Sequence, residues 1–185
     1  MCIRDRIYIA PGNGGTAELG TNIKSLNIED GNAVLDFVRQ NDVELVVIGP
    51  EAPLVKGVAD VLREAGIAVF GPDAQGAQLE GSKTYSKEFM EANGIPTARY
   101  KSFTNKEEAL AYCDELGAPL VVKADGLAAG KGVIVAETLD AARAGVEACF
   151  SGEFGSAGNT VVVEEMLTGC LLYTSPSPRD MRRSR

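Results

Sequence analysis

The feature that most restricts the fold of this 185-residue chain is an alternation: short, near-continuous apolar runs exchange with segments whose apolar residues recur at helical spacing. A run such as Leu45-Val46-Val47-Ile48 is expected to be a strand covered on both faces, and the helix-period segments supply the crossovers that start each parallel strand anew. Residues 7–10 (IYIA) read as the first such strand, ending in the turn Pro11-Gly12-Asn13-Gly14-Gly15. Asp30 is placed to cap a helix with Val34, Leu35 and Val38 on its inner face, and the strand 45–48 then stops at Gly49-Pro50. A second helix is expected near Pro53, a residue suited to a first helical turn, with Leu54, Val58, Val61 and Leu62 inward and Gly66 at its end. Ile67 to Phe70 is the next strand. Residues 7–73 thus give a β-α-β-α-β series, and residues 7–81 are expected to form an α/β domain of the doubly wound kind. It is incomplete, because a first strand and its glycine loop would stand before Ile7.

From about residue 82 the texture changes. Ser82 is placed to cap a helix carrying Tyr85, Phe89 and Met90, closed by Asn93-Gly94 and Pro96. An extended run from Ala98 to Phe103 leads to a helix with Ala109, Leu110 and Leu116 that ends at Gly117. Strands are expected at Leu120–Lys123, Gly132–Val135 and Val161–Glu165, with an alanine-rich helix from about 139 to 150. Residues 82–169 therefore read as the first part of an α+β domain in which strands bracket glycine loops.

The two ends share no pattern with the rest. Residues 1–6 (MCIRDR) and 170–185 (CLLYTSPSPRDMRRSR) lack apolar periodicity, and both resemble translated sequencing-adapter segments. They are expected to be non-native, the second a disordered tail, with the natural protein continuing past residues 7 and 169; the alternative is a genuine basic tail. The formal charge of -8 includes +3 from residues 170–185 and +1 from residues 1–6, which leaves -12 on residues 7–169. A body so acidic repels a nucleic-acid backbone, so small anionic ligands held by local lysines are the better expectation. No stretch nears the roughly 20 apolar residues of a membrane span, and no charged-then-apolar leader opens the chain, so no membrane association and a cytoplasmic location are expected. The chain has no His, which excludes Ser-His-Asp and Cys-His catalysis, and its four cysteines form no CxxC pair. Cys113 and Cys149 fall in expected helices as buried thiols.

The most informative stretch is Val121-Val122-Lys123-Ala124-Asp125-Gly126-Leu127-Ala128-Ala129-Gly130-Lys131-Gly132-Val133-Ile134-Val135. Glycines permit positive φ and close backbone approach, so successive N–H groups can face phosphate oxygens, with Lys123 and Lys131 supplying the compensating charge. Gly132 stands where a Walker loop needs Ser or Thr, and no helix follows as a dinucleotide fingerprint requires. A plain glycine-rich hairpin connection is the competing reading, but an ammonium inside an apolar strand needs a partner.

Glu164-Glu165-Met166-Leu167 ends the strand 161–165, where successive side chains point to opposite faces and only one carboxylate can enter a cleft. Glu164 is the candidate acceptor for an adenine amino group, with backbone near Leu167 beside it; a solvated charge pair is the alternative. Lys83 falls in the first turn of a helix, against the dipole, which an anion would explain and simple surface exposure would too. Gly49-Pro50-Glu51-Ala52-Pro53, Pro11-Gly12-Asn13-Gly14-Gly15 and Gly71-Pro72-Asp73 follow three consecutive strands at the edge where open α/β sheets hold ligands, although Pro and Gly are also ordinary turn residues.

Taken together, IYIAPGN, VVIGPEAPLVKG, VFGP, GSKTYSKEFMEANGIPTARY, PLVVKADGLAAGKGVIV and VVVEEMLTG resemble, in order over residues 7–169, the phosphoribosylamine-glycine ligase family of ATP-grasp enzymes. The resemblance implies that residues 7–81 are an incomplete substrate domain and 82–169 part of an ATP-grasp domain. It implies ATP-dependent ligation of glycine to 5-phosphoribosylamine through a glycyl phosphate, in purine (IMP) synthesis, with Mg2+ or Mn2+. By position it implies nucleotide contacts from Lys83, Lys123, Asp125, Gly126, Gly130, Lys131, Gly132, Glu164, Glu165 and Leu167, with Lys123 and Lys131 catalytic through charge neutralisation. Gly12, Asn13, Gly49, Pro50, Glu51 and Pro53 would border the phosphoribosylamine. Metal ligands are expected beyond Gly169, so the 185-residue chain itself is expected to be inactive, and the complete protein a monomer whose partners are small molecules. Another ATP-grasp carboxylate-amine ligase, or a nucleotide-binding module without turnover, are the competing readings.

Overall fold

A computed structural model describes residues 6–128 and 131–168. Nearly all of the two segments read as non-native, Cys2, Cys170 and the loop residue Gly130 lie outside the described residues. The chain forms two compact units that divide after Phe89, inside a helix.

In the first unit, β1 (Tyr8–Ile9) pairs in parallel with β2 (Thr21–Asn22). The helix α1 (Gly31–Gln40) starts where Asp30 accepts hydrogen bonds from the amides of Asn32 and Ala33 at 3.0 and 3.1 Å, which satisfies two of its otherwise unbonded first-turn donors. Then follow β3 (Leu45–Val47), α2 (Glu51–Val55), α3 (Val58–Glu64), β4 (Ala68–Phe70), α4 (Ala74–Gly81) and α5 (Lys83–Ala92). The single helix expected from Pro53 is thus two. It begins at Glu51, behind Pro50, and breaks at Gly57, whose φ of +76° lets the Lys56 and Gly57 amides turn back to the carbonyls of Ala52 and Leu54.

The strands β3 and β4 pair in parallel, Leu45 opposite Ala68 and Val47 opposite Phe70. Val34, Val38, Val58 and Leu62 pack against Val46, Ile48, Ile67 and Val69, while Leu54, Ala59 and Ala77 make a second cluster with Ile48, Val55 and Val69. Among the described residues no ladder joins β3 to β1, and the doubly wound sheet consists of two separate parallel pairs. The expectation that β3 is covered on both faces therefore fails: Leu45 is 57% and Val47 65% exposed. Its continuous apolar run alternates in burial because helices α1 and α3 cover one side, and an apolar cavity touching Tyr8, Ala10, Leu45, Val47 and Pro50 separates it from β1.

The second unit is an antiparallel sheet of β5 (Tyr100–Phe103), β8 (Val161–Glu165), β6 (Leu120–Ala124) and β7 (Val133–Ala136), in that spatial order. The helices α6 (Lys106–Leu116) and α7 (Leu139–Phe150) are capped by Asn105 and Thr138, whose side chains accept from the amides of Glu108 and Ala141. Both helices lie on one face of the sheet. Leu120, Val122, Ala124, Val161 and Val163 meet Ala109, Tyr112 and Cys113 of α6 and Ala142, Val146 and Cys149 of α7. The packing is close at Gly145, where a Cβ would stand 3.2 Å from the side chain of Ile134.

Two consequences are measurable. Leu62→Ala, which empties a fully buried site, should lower stability in urea by about 2–5 kcal/mol, whereas Leu45→Ala on the exposed side of β3 should stay within about 0.5 kcal/mol of the parent. Burial first, and the neighbouring Asp114 second, push the Cys113 thiol above its ordinary pKa, with Arg143 acting in the opposite direction. The neutral thiol is therefore favoured in the folded state. Its stabilisation should be complete below the ordinary thiol pKa and lost as pH rises through the folded value, a loss that Cys113→Ala should abolish in alkaline denaturation curves.

Candidate functional site

The connection between β6 and β7 is built to close tightly at its base. Lys123 lies opposite Val133 in the ladder, and beyond it the Ala124 amide donates to the Gly132 carbonyl at 2.8 Å. The next amide, of Asp125, donates to the carbonyls of Ala157 and Thr160 at 3.0 and 2.9 Å, which ties the start of the connection to the segment before β8. Glycines serve here by closeness rather than by positive φ. A Cβ on Gly126 would stand 3.0 Å from the Ala157 Cβ, and one on Gly132 would stand 2.9 Å from the Ala128 Cβ. Neither glycine has a positive φ. The Lys131 amide donates to the Ala128 carbonyl at 2.9 Å.

Strand alternation sends Lys123 to the sheet face opposite α6 and α7. In the β6–β8 ladder Val121 lies opposite Glu164 and Lys123 opposite Val162, so Lys123 and Glu164 are diagonal neighbours on that face. Their side chains form a close ion pair between Nζ and Oε1, with the lysine side chain 24% exposed and the glutamate 7%. The sequence places these residues 41 positions apart and assigns them to opposite ends of a nucleotide; the fold makes them partners. Neither charge is tolerable alone at that depth, and each supplies the other's neutralisation.

Glu165 points the other way, as alternation demands. Its carboxylate accepts from the Arg99 amide at 2.9 Å and from the Arg99 Nε at 3.2 Å, while its own amide donates to the Arg99 carbonyl at 3.0 Å. Sequence reasoning missed Arg99; its position just before β5 gave no signal. Leu167 lies past the end of β8 and is 68% exposed. Lys131 is exposed and lines a cavity with Ala128, Ile134, Ala148, Glu153 and Phe154, on the α7 side of the sheet. Lys123 and Lys131 thus do not share a face.

In the first unit, Lys83 opens α5, where the Ser82 hydroxyl accepts from the Tyr85 amide at 3.1 Å. Gly12, Asn13, Gly49, Pro50, Glu51 and Pro53 do follow the ends of β1 and β3. Asn13 is engaged in a local knot: its amide donates to the Thr16 hydroxyl at 2.7 Å, its side chain accepts from the Thr16 amide at 3.0 Å, and its carbonyl accepts from the Asn22 side chain at 2.6 Å. Its carboxamide therefore shapes the turn. Gly12 has φ +74° and would clash with Asn22 if it bore a Cβ. Pro53 is buried and, with Pro50, borders the apolar cavity rather than an open pocket. Gly49 and Glu51 are accessible, and a Cβ added at Gly49 would meet no heavy atom within 4 Å.

Among the described residues no three His, Cys, Asp or Glu side chains converge as a metal site would require, and no helix is long and apolar enough to cross a membrane. Residues 3–80 match the family description "Phosphoribosylglycinamide synthetase, N domain", and residues 81–173 match "Phosphoribosylglycinamide synthetase, ATP-grasp (A) domain". Phosphoribosylamine–glycine ligase of Escherichia coli strain K12 is 52% identical over 167 residues, which are 89% of this chain and 39% of that protein. The ligase of Rhizobium meliloti strain 1021 is 55% identical over 164 residues, 89% and 38% of the two chains. The crystal structure of the Thermotoga maritima ligase superposes with a TM-score of 0.70 at 33% identity, over 89% of this chain and 39% of that one. N5-carboxyaminoimidazole ribonucleotide synthetase of Thermus thermophilus shares the fold at a TM-score of 0.62 and 20% identity, over 85% and 39%. The chain spans about 39% of the length of the E. coli relative. With both units matched in order and the A-domain description alone covering residues 81–173, the chain belongs to the phosphoribosylglycinamide synthetase family.

Proposed function

We propose that the protein to which these residues belong joins glycine to 5-phosphoribosylamine with ATP, giving glycinamide ribonucleotide, ADP and phosphate through a glycyl phosphate, and that this chain carries the phosphate grip and one wall of the adenine site. The observation that supports this best is the Lys123 ammonium, set at the end of an apolar strand at the foot of the glycine-closed β6–β7 connection and partly exposed on the sheet face opposite α6 and α7. An anion reaching that face meets a charge already positioned, with little reorganisation required.

In this reading Lys123 neutralises charge on the phosphates and orients them, and the backbone of the connection from Gly126 to Gly132, Gly130 included, closes over them with Lys131 at its end. Lys83, Glu164 and the backbone near Leu167 complete the nucleotide contacts, and Asp125 holds the connection's root to the Ala157–Thr160 segment through its amide. Gly49 and Glu51, at the accessible end of β3, are the best-placed residues for phosphoribosylamine, with Gly12, Asn13 and Pro50 shaping the loops around them. A divalent Mg2+ or Mn2+ would supply charge neutralisation on the transferring phosphoryl group when bound. The described residues contain no cluster to hold it, so no step is routed through one. Partners are accordingly small molecules, with no nucleic acid or membrane, and the working form is a cytoplasmic monomer.

In a longer protein containing these residues, Lys123→Ala should weaken ATP binding by roughly 10- to 100-fold, the loss of a charge-assisted contact, and should depress glycinamide ribonucleotide synthesis at least as much. Lys131→Ala should do less to affinity than to turnover, because its side chain lies off the Lys123 face. Calorimetric ATP titration together with a product assay checks both. Unchanged ATP affinity after loss of both amines would end the nucleotide reading, and retained ATP binding without that product would end the choice of substrates.

A further inference from the structure

Between α7 and β8 the chain makes a short 3-10 helix, Gly155–Asn159, that buries Ala157 and Gly158. It has contacts in two directions. Gly158 meets the last turn of α7, where a Cβ on it would stand 2.1 Å from the Cys149 carbonyl oxygen and 3.1 Å from the carbonyl carbon. These are backbone atoms and cannot swing aside. The φ of Gly158 is not positive, so closeness alone requires the glycine. Ala157 meets the root of the β6–β7 connection. Its carbonyl accepts from the Asp125 amide at 3.0 Å, an amide that also donates to Thr160, one residue past the short helix, at 2.9 Å. A Cβ on Gly126 would stand 3.0 Å from the Ala157 Cβ and 3.1 Å from its Cα. Ala157 and Gly158 are joined by one planar peptide. Whatever lifts Gly158 off α7 therefore moves the carbonyl and the methyl group on which the connection rests, because a close-packed interior passes strain on rather than absorbing it.

We infer that Gly158 and Ala157 are positioning residues for the nucleotide: seated on α7, they hold the β6–β7 connection where it closes over the phosphates, without contacting the ligand themselves. This rests on the nucleotide reading proposed above and deepens it. The bare Gly126 then serves the seat on Ala157 rather than the approach of a phosphate oxygen, and the last turn of α7 becomes the fixed point from which the grip is placed. Binding of a polyphosphate by a backbone connection depends on where its N–H groups stand, so a small displacement of the root is felt as lost affinity.

The test uses a longer protein containing these residues, with calorimetric ATP titration, steady-state kinetics, and hydrogen exchange read by mass spectrometry without nucleotide. Gly158→Ala should weaken ATP binding and raise the KM for ATP by about tenfold or more, with the KM for glycine at its wild-type value. The peptide 124–132 should exchange faster than in wild type, and the peptide 161–165 should not. Cys113→Ala, which empties a site in the same core, should lower the melting temperature and leave ATP affinity unmoved. If it weakened ATP binding equally, the effect of Gly158→Ala would be one of stability and the inference would fall. Should Gly158→Ala fail to fold, a size exchange across the other contact decides. Gly126→Ala should weaken ATP binding, and adding Ala157→Gly should restore at least about threefold of the loss. No restoration overturns the inference, because a Gly126 that served only phosphate approach would gain nothing from room at Ala157. Unchanged exchange of peptide 124–132 in a folded Gly158→Ala overturns it too. Faster exchange there with unmoved ATP affinity overturns instead the nucleotide reading of the connection, which separates the two failures.

Discussion

The two-residue alternation of β6 and β8 governs the second unit. On one side of these strands Leu120, Val122, Ala124, Val161 and Val163 form the floor on which α6 and α7 rest. On the other side the same strands must present Val121, Lys123, Val162 and Glu164, because neighbouring side chains of a strand cannot share a face. The apolar floor therefore determines where the charges go. A register slip of one residue would set Lys123 and Glu164 against α6 and α7, so the hydrophobic packing of the unit and the placement of its ion pair are one constraint.

The antiparallel order β5-β8-β6-β7 also explains how distant segments serve one site. The segment before β8 anchors the root of the β6–β7 connection through the Ala157 and Thr160 carbonyls, and the end of β8 is stitched to β5 by the Arg99–Glu165 contacts. Glu164 thus sits in a strand held on both flanks, opposite Val121 on one and Tyr100 on the other. A carboxylate in such a position has little freedom to withdraw from Lys123.

The first unit was legible where local chemistry decides structure. Asp30 and Ser82 cap helices where the sequence places them, because short polar side chains there satisfy amides that the helix leaves open, a choice made within three residues, and Asn105 and Thr138, which the sequence reading did not single out, do the same in the second unit. The fold was less legible where a break depends on one backbone conformation: Gly57 splits an otherwise continuous amphipathic segment into α2 and α3. Burial of β3 was misjudged because an apolar run records what a strand tolerates, while coverage depends on which elements lie beside it. The strand β2 carries no apolar run and is held by its pairing to β1 and by the Asn22 side chain's bonds with Asn13 and Thr16.

Local pattern by itself determined most of the strands and helices, the Asp30 and Ser82 caps, the glycine-closed connection with Lys123 at its foot, and the opposite facing of Glu164 and Glu165. All of these follow from interactions that span a few residues or from the period of a strand. Only the tertiary structure decided that Lys123 takes Glu164 as its partner, that Arg99 claims Glu165, and that Lys131 stands on the other side of the sheet from Lys123. Those outcomes depend on the pairing of β6 with β8 and of β5 with β8 across tens of residues. The chain's linear pattern carries no distance information over such separations, so register and strand order had to supply it.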